Sequence, residues 1–178
     1  MPHYHRRGGP GIFSLALMFS VFSLLFLFLV WLLPNLQLIL YFASSLFVMG
    51  ILLEENAGAA VLSAMAVSLL GLLILPDKAL LMPYVFIFGH YGIGKYLIER
   101  RHRTGSAVVL KMVYFNAGLV LLYFTVPSRL FALLPWELPL IGFVVVMEIA
   151  FLVYDFLFSK AAQFYDNRIR KHLAGSHF

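Results

Sequence analysis

The chain has 178 residues, 62% of them hydrophobic and 12% charged, with a formal net charge of +5 and no cysteine. An average soluble domain is about half apolar and about a quarter charged, so composition excludes a water-soluble core with room for a second, soluble domain. The lack of cysteine removes disulfides, thiol catalysis and thiolate metal sites.

Apolar runs of eighteen or more residues with few charges read as membrane-spanning helices, and in lipid each span must be helical so that its backbone groups are paired. Span one, 12–33, follows the basic flank "MPHYHRRGG". It is longer than the roughly 7–15 residues of a signal's apolar region and no small-x-small cleavage site follows, so it is expected to be retained. Span two, 36–53, lies between the "PN" at Pro34 and the "EEN" at Glu54. Span three, 57–75, stops at "PDK", and span four, 79–98, runs into the polar loop "ERRHRTGS". Span five, 107–125, stops at "VPSR"; span six, 138–159, follows "PWELP" and leads to a cytoplasmic tail over 160–178. Proline and glycine punctuate the chain because one lacks a backbone donor and the other tolerates any backbone angle. The expected fold is all-α: one integral membrane domain over 1–178, a bundle of six transmembrane helices.

Lys and Arg set the direction. With both termini in the cytoplasm, the inner segments hold Arg6, Arg7, Lys95, Arg100, Arg101, Arg103, Lys160, Arg168, Arg170 and Lys171, against Lys78 and Arg129 outside. That is a strong positive-inside bias. Trp31 and Trp136 then fall near the outer boundary, where indole rings favour the interface. The expected location is the cell membrane.

Span four contains "GHYGIGK", Gly89 to Lys95, which matches the phosphate-loop pattern G-x-x-x-x-G-K. A phosphate loop needs a strand before it and a Ser or Thr after the Lys to hold magnesium. Here Tyr96 follows and the preceding residues form the body of the span, so no nucleotide binding is expected. The stretch reads better as helix packing. Pro83 loosens the span near its outer end, and Gly89, Gly92 and Gly94 admit a neighbouring backbone or ring. A locally broken helix lining a binding cavity is the sharper alternative.

At about 1.5 Å per residue, His90, Asn116 and Glu148 each lie near the centre of a hydrocarbon layer about 30 Å thick. Lys95, Lys111 and Asp155 lie nearer the inner boundary. Ionisable groups at such depth are costly and turn inward to find partners. The expectation is a His90–Asn116–Glu148 layer and a Lys111–Asp155 ion pair joining spans four, five and six. These are either interhelical clasps or a ligand-binding or proton site. On span three, Ala57, Ala60, Ala64, Ser68 and Gly71 form a small-residue stripe that lets helices approach closely in lipid. A shorter stripe on span one, Ala16, Ser20 and Ser23, is a candidate docking seam for another membrane protein.

Other chemistry finds no support. Glu54–Glu55 with Phe86-x-x-x-His90 lacks the remaining parts of an intramembrane metalloprotease signature, and no Gly-x-Ser-x-Gly setting exists. His3 and His5 cannot chelate through the amide of Pro2, which has no proton. The basic segments sit beside the inner surface, where anionic lipids attract them. No enzyme activity, metal, cofactor or nucleic-acid partner is expected.

The stretches "LPDKALLMPYVFIFGHYGIGKYLIER", "LKMVYFNAGLVLLYF" and "EIAFLVYDFLFSKAAQFYDNRIR" resemble an uncharacterised family of small bacterial membrane proteins common in Firmicutes, over roughly residues 40–172. That resemblance implies no catalytic residues. In span count, length and the Ala16-to-Ser20 step, the chain is similar to the substrate-binding (S) subunits of energy-coupling-factor uptake transporters. This likeness implies a small-molecule ligand and a membrane subunit docked on span one. The alternative expectation is a non-catalytic scaffold of the cell envelope, like the six-span rod-shape proteins.

Overall fold

A computed structural model describes residues 10–54, 56–101, 104–126 and 140–165. Arg6, Arg7, Arg103, Arg129, Arg168, Arg170 and Lys171 of the charge count lie outside the described residues, as do Glu55, Trp136, His3 and His5. The described residues form six α-helices and no strand. These are α1 (Pro10–Leu32), α2 (Gln37–Leu53), α3 (Ala57–Ile74), α4 (Gly89–Arg101), α5 (Thr104–Thr125) and α6 (Leu140–Phe164). Four are long and apolar enough to cross a membrane, over Phe13–Leu32, Pro34–Leu53, Ala57–Ile74 and Gly105–Thr125. The other two, α4 and α6, correspond to predicted spans four and six. Helix α4 has only 13 residues, and both carry several ionisable groups, among them His90, Lys95, Glu99, Glu148, Asp155 and Lys160, which lower their apolar character.

The helix boundaries follow local chemistry. A 3-10 turn at Pro34–Leu36 separates α1 from α2. Asn56 caps α3, its side chain accepting from the Ala59 amide at 2.9 Å, which satisfies one of the unpaired donors of the first turn. At the far end the Lys78 ammonium donates to the Leu75 carbonyl at 2.6 Å. Two boundaries correct the sequence reading. Span four is not one regular helix. It enters through a 3-10 turn at Lys78–Leu80 and a π turn at Tyr84–Phe88, directly after Pro83, before α4 begins. Proline cannot donate into the helix ladder, and the wider turn accommodates it, with the Gly89 amide reaching the Tyr84 carbonyl. Span six continues as helix to Phe164, so the first residues of the predicted tail, from Lys160, are still helical.

Helix α2 lies at the centre and packs on α1, α3, α4 and α6. Phe47 of α2 meets Phe19, Phe22 and Phe26 of α1, with ring centroids 5.9, 5.6 and 5.5 Å away. Ser23 and Ser44 let the same two helices touch closely. Their hydroxyls are 2.7 Å apart, and each also reaches the other's carbonyl, at 3.1 and 3.0 Å. Lipid tails are as apolar as leucine, so close packing and interhelical hydrogen bonds carry such contacts.

The small-residue stripe of α3 is present but rotated. Ala60, Ser63, Ala64, Val67 and Gly71 are buried, whereas Ala57 is exposed and Ser68 half-buried. Ser68 bonds back to the Ala64 carbonyl at 2.8 Å. Gly71 lets the Leu81 side chain approach closely: a Cβ there would sit 2.7 Å from Leu81 Cδ1, which would have to shift. On α1 the small residues Ala16, Ser20 and Ser23 face other helices of the chain. Ala16 packs into the α2–α3 core, Ser20 meets Ser63 of α3 at 2.5 Å, and Ser23 faces Ser44. The seam is filled from within the chain. The outward face of α1 is instead bulky, with Phe13, Leu17, Val21 and Leu25 exposed.

Candidate functional site

The polar residues of the chain's second half converge where α4, α5 and α6 meet. Tyr91, Lys95 and Glu99 recur every four residues and share one face of α4. Asp155 and Ser159 do the same on α6. The Tyr91 hydroxyl donates to Asp155 Oδ1 at 2.6 Å, and Lys95 donates to the same oxygen. Lys95 also reaches Ser159 Oγ at 2.8 Å and Glu99 at 3.1 Å. From α5, Lys111 holds Asp155 Oδ2 at 2.6 Å and Glu99 at 3.0 Å. The side chains of Lys95 and Lys111 are only 8% and 6% exposed, Asp155 17% and Glu99 44%. Two ammonium groups therefore face two carboxylates, and the cluster is neutral in sum.

The three residues expected at mid-depth separate into two pairs. Asn116 donates to Glu148 Oε1 and, at 2.9 Å, to the Met112 carbonyl. His90 turns elsewhere. Its Nδ1 is 2.6 Å from the Tyr114 hydroxyl, with the rings edge to face at 5.5 Å. Among the described residues, the one buried side-chain oxygen or nitrogen without a hydrogen-bond partner is Glu148 Oε2.

Aromatic rings surround this polar set. Tyr91 packs on Phe151, Tyr154 and Phe158, with centroids 5.7, 4.9 and 5.6 Å away. Phe115 stacks on Phe151 at 4.4 Å. The glycines of the phosphate-loop-like stretch make room for rings: a Cβ at Gly92 would lie 2.9 Å from Phe158, and one at Gly94 2.7 Å from Tyr114. At Gly89 the ring is Tyr84's own, 2.7 Å away across the π turn. Gly118 of α5, not singled out from sequence, admits backbone, since a Cβ there would lie 2.6 Å from the Phe86 carbonyl oxygen. The stretch "GHYGIGK" is thus helical throughout, and its Lys95 is engaged by acidic partners.

A second polar cluster was not anticipated. The Tyr84 hydroxyl stands 3.3 Å from Ser23 Oγ, joining the π turn to the Ser23–Ser44 contact, and Tyr41 donates to the Leu80 carbonyl. Among the described residues no group of three or more His, Cys, Asp or Glu is placed to hold a metal ion. Glu54 lies apart, accepting from Tyr165 at 3.2 Å. Comparison with known protein families, with curated proteins and with solved structures gives no match.

Proposed function

We propose that this chain crosses a cell membrane six times with both termini in the cytoplasm, and that it serves as a non-catalytic scaffold or assembly protein of the envelope. The four apolar helices supply four crossings. The segment from Pro83 through α4 and the whole of α6 supply the other two, turning His90, Lys95, Glu148 and Asp155 toward the bundle. The distribution of Lys and Arg supports the orientation.

The observation that carries the scaffold reading is the cluster of Lys95, Lys111, Asp155 and Glu99. Each charge is answered by another charge from a neighbouring helix or turn, and rings pack around the set. Such an arrangement holds three helices in one geometry. The bulky outer face of α1 is left for lipid or a partner.

A second reading, a small-molecule-binding subunit of an uptake transporter, is favoured by a different observation. The π turn lies beside His90, and π turns within helices are frequent at functional sites. Native mass spectrometry of the full chain in mild detergent separates the two readings. A stoichiometric co-purifying membrane protein, with no small molecule, supports the scaffold. A retained small molecule that is lost in His90→Ala overturns it in favour of the transport subunit. A chain that carries neither counts against both.

A further inference from the structure

We propose that Glu148 and Asn116 form a proton-binding site inside the bilayer, with the proton carried by the Glu148 carboxyl. The two amide hydrogens of Asn116 go to Glu148 Oε1 and to the Met112 carbonyl. Glu148 Oε2 remains buried without a partner. Neighbouring apolar side chains on α6, Val144, Val145, Ile149 and Leu152, are exposed on the surface that lipid would cover.

Among the described residues, the surrounding charges offer Glu148 no counter-ion. On α5, Lys111 is held by Asp155 and Glu99; on α4, Lys95 is held by the same two carboxylates. His90 of α4 pairs with Tyr114 of α5. On α6 itself, Asp155 is seven residues away, two helical turns toward the inner end. From α2 the polar contact to α6 is Ser45 on Tyr154, at 3.3 Å. Among the described residues no ion pair involves Glu148.

An ionised carboxylate in lipid with one uncompensated oxygen is strongly disfavoured against the neutral acid. Proton uptake from water places an O–H bond on Oε2 and cancels the charge. Oε1 goes on accepting from Asn116, so the clasp between α5 and α6 survives the change. Ser or Asn alone would clasp helices without this option; a carboxyl adds a group that can load and release a proton. The inference rests on α6 crossing the bilayer and holds for either functional reading.

Infrared spectroscopy of the full chain in lipid vesicles at neutral pH tests it. The chain has eight acidic side chains, few enough to assign. The carbonyl stretch of a protonated carboxylic acid is expected in the wild type, retained in Glu54→Gln and lost in Glu148→Gln. A wild type without that band, or a band that survives Glu148→Gln, overturns the proposal. Should Glu148→Gln not fold, Glu148→Asp keeps an acid in an altered setting: the band must shift, and an unshifted band overturns the proposal equally. Gln163→Cys, at an exposed position near the end of α6, reports separately on whether that helix crosses the bilayer: a membrane-impermeant maleimide is expected to label it only after the cell membrane is opened.

Discussion

The Lys111 ammonium lies 2.6 Å from Asp155 Oδ2, and this pair ties α5 to α6 alongside the Asn116–Glu148 bond and the Phe115–Phe151 stack. Asp155 answers Lys95 with its other oxygen. One carboxylate thus spans three helices, and removing it leaves two buried ammonium groups to share the more exposed Glu99.

Asp155→Ala is therefore expected to destabilise far more than its lost volume implies. Breaking a buried pair from one side costs about 3–5 kcal/mol, because the remaining charge is left unpaired. Replacing the three most buried charges by apolar residues, Lys95→Met with Lys111→Met and Asp155→Leu, leaves only Glu99, whose side chain is 44% exposed, and is expected to cost much less. Unfolding of each variant in detergent micelles checks this. A triple variant less stable than Asp155→Ala alone would show that packing, rather than charge balance, dominates the cluster.

Gly118 gives a sharper steric expectation. A methyl there meets the Phe86 carbonyl oxygen at 2.6 Å, and neither backbone can yield cheaply. Gly118→Ala is expected to cost about 1–3 kcal/mol, the range for overpacking, and to push α5 off the π turn. Gly105→Ala, with nothing within 4 Å of the added atom, is expected to be neutral or slightly stabilising. Equal melting temperatures for the two variants would remove the case for a tight approach of α5 to the π turn.

Which parts were legible in the sequence follows from the nature of the signal. The apolar runs give the helices directly, since in lipid no other backbone form is open to them. Lys111 with Asp155 was readable because a charge at that depth must find its opposite. The Tyr91, Lys95, Glu99 face of α4 was readable too, from its four-residue spacing, yet Lys95 was set at the membrane edge and given no partner. His90 was misassigned for another reason. Equal depth does not fix direction around a helix axis, and the π turn rotates α4 so that His90 meets Tyr114 instead of Asn116. Pro83 announced a disturbance, but nothing in composition distinguishes a kink from a widened turn.

Orientation yields to chemistry the chain itself makes easy. It has no cysteine, so single thiols can be added without background. Pro76→Cys lies between α3 and the 3-10 turn, and Gly105→Cys lies at the start of α5; both positions are exposed and both changes leave the Lys and Arg balance intact. In intact cells a membrane-impermeant maleimide is expected to label position 76 and to spare position 105 until the membrane is opened. The reverse pattern would invert the topology, and labelling of both in intact cells would break it.

The Ser23–Ser44 contact separates size from hydrogen bonding as the reason for small residues between α1 and α2. Interhelical hydrogen bonds in membranes average about 0.6 kcal/mol and reach roughly 2 at most. Ser44→Ala keeps the close approach and removes the hydroxyl, so its cost is expected to stay within that range. Ser44→Leu keeps the apolar character of the surroundings but adds bulk where hydroxyl and carbonyl oxygens stand about 3 Å apart. It is expected to cost more, since forcing extra methylenes into a packed site shifts backbone and rotamers. It would also displace Tyr84, whose hydroxyl adjoins Ser23, and so carry the disturbance into the π turn. Thermal unfolding of the two variants decides between these causes. If alanine proves as damaging as leucine, the hydroxyl network and not the width of the seam holds the first two helices together.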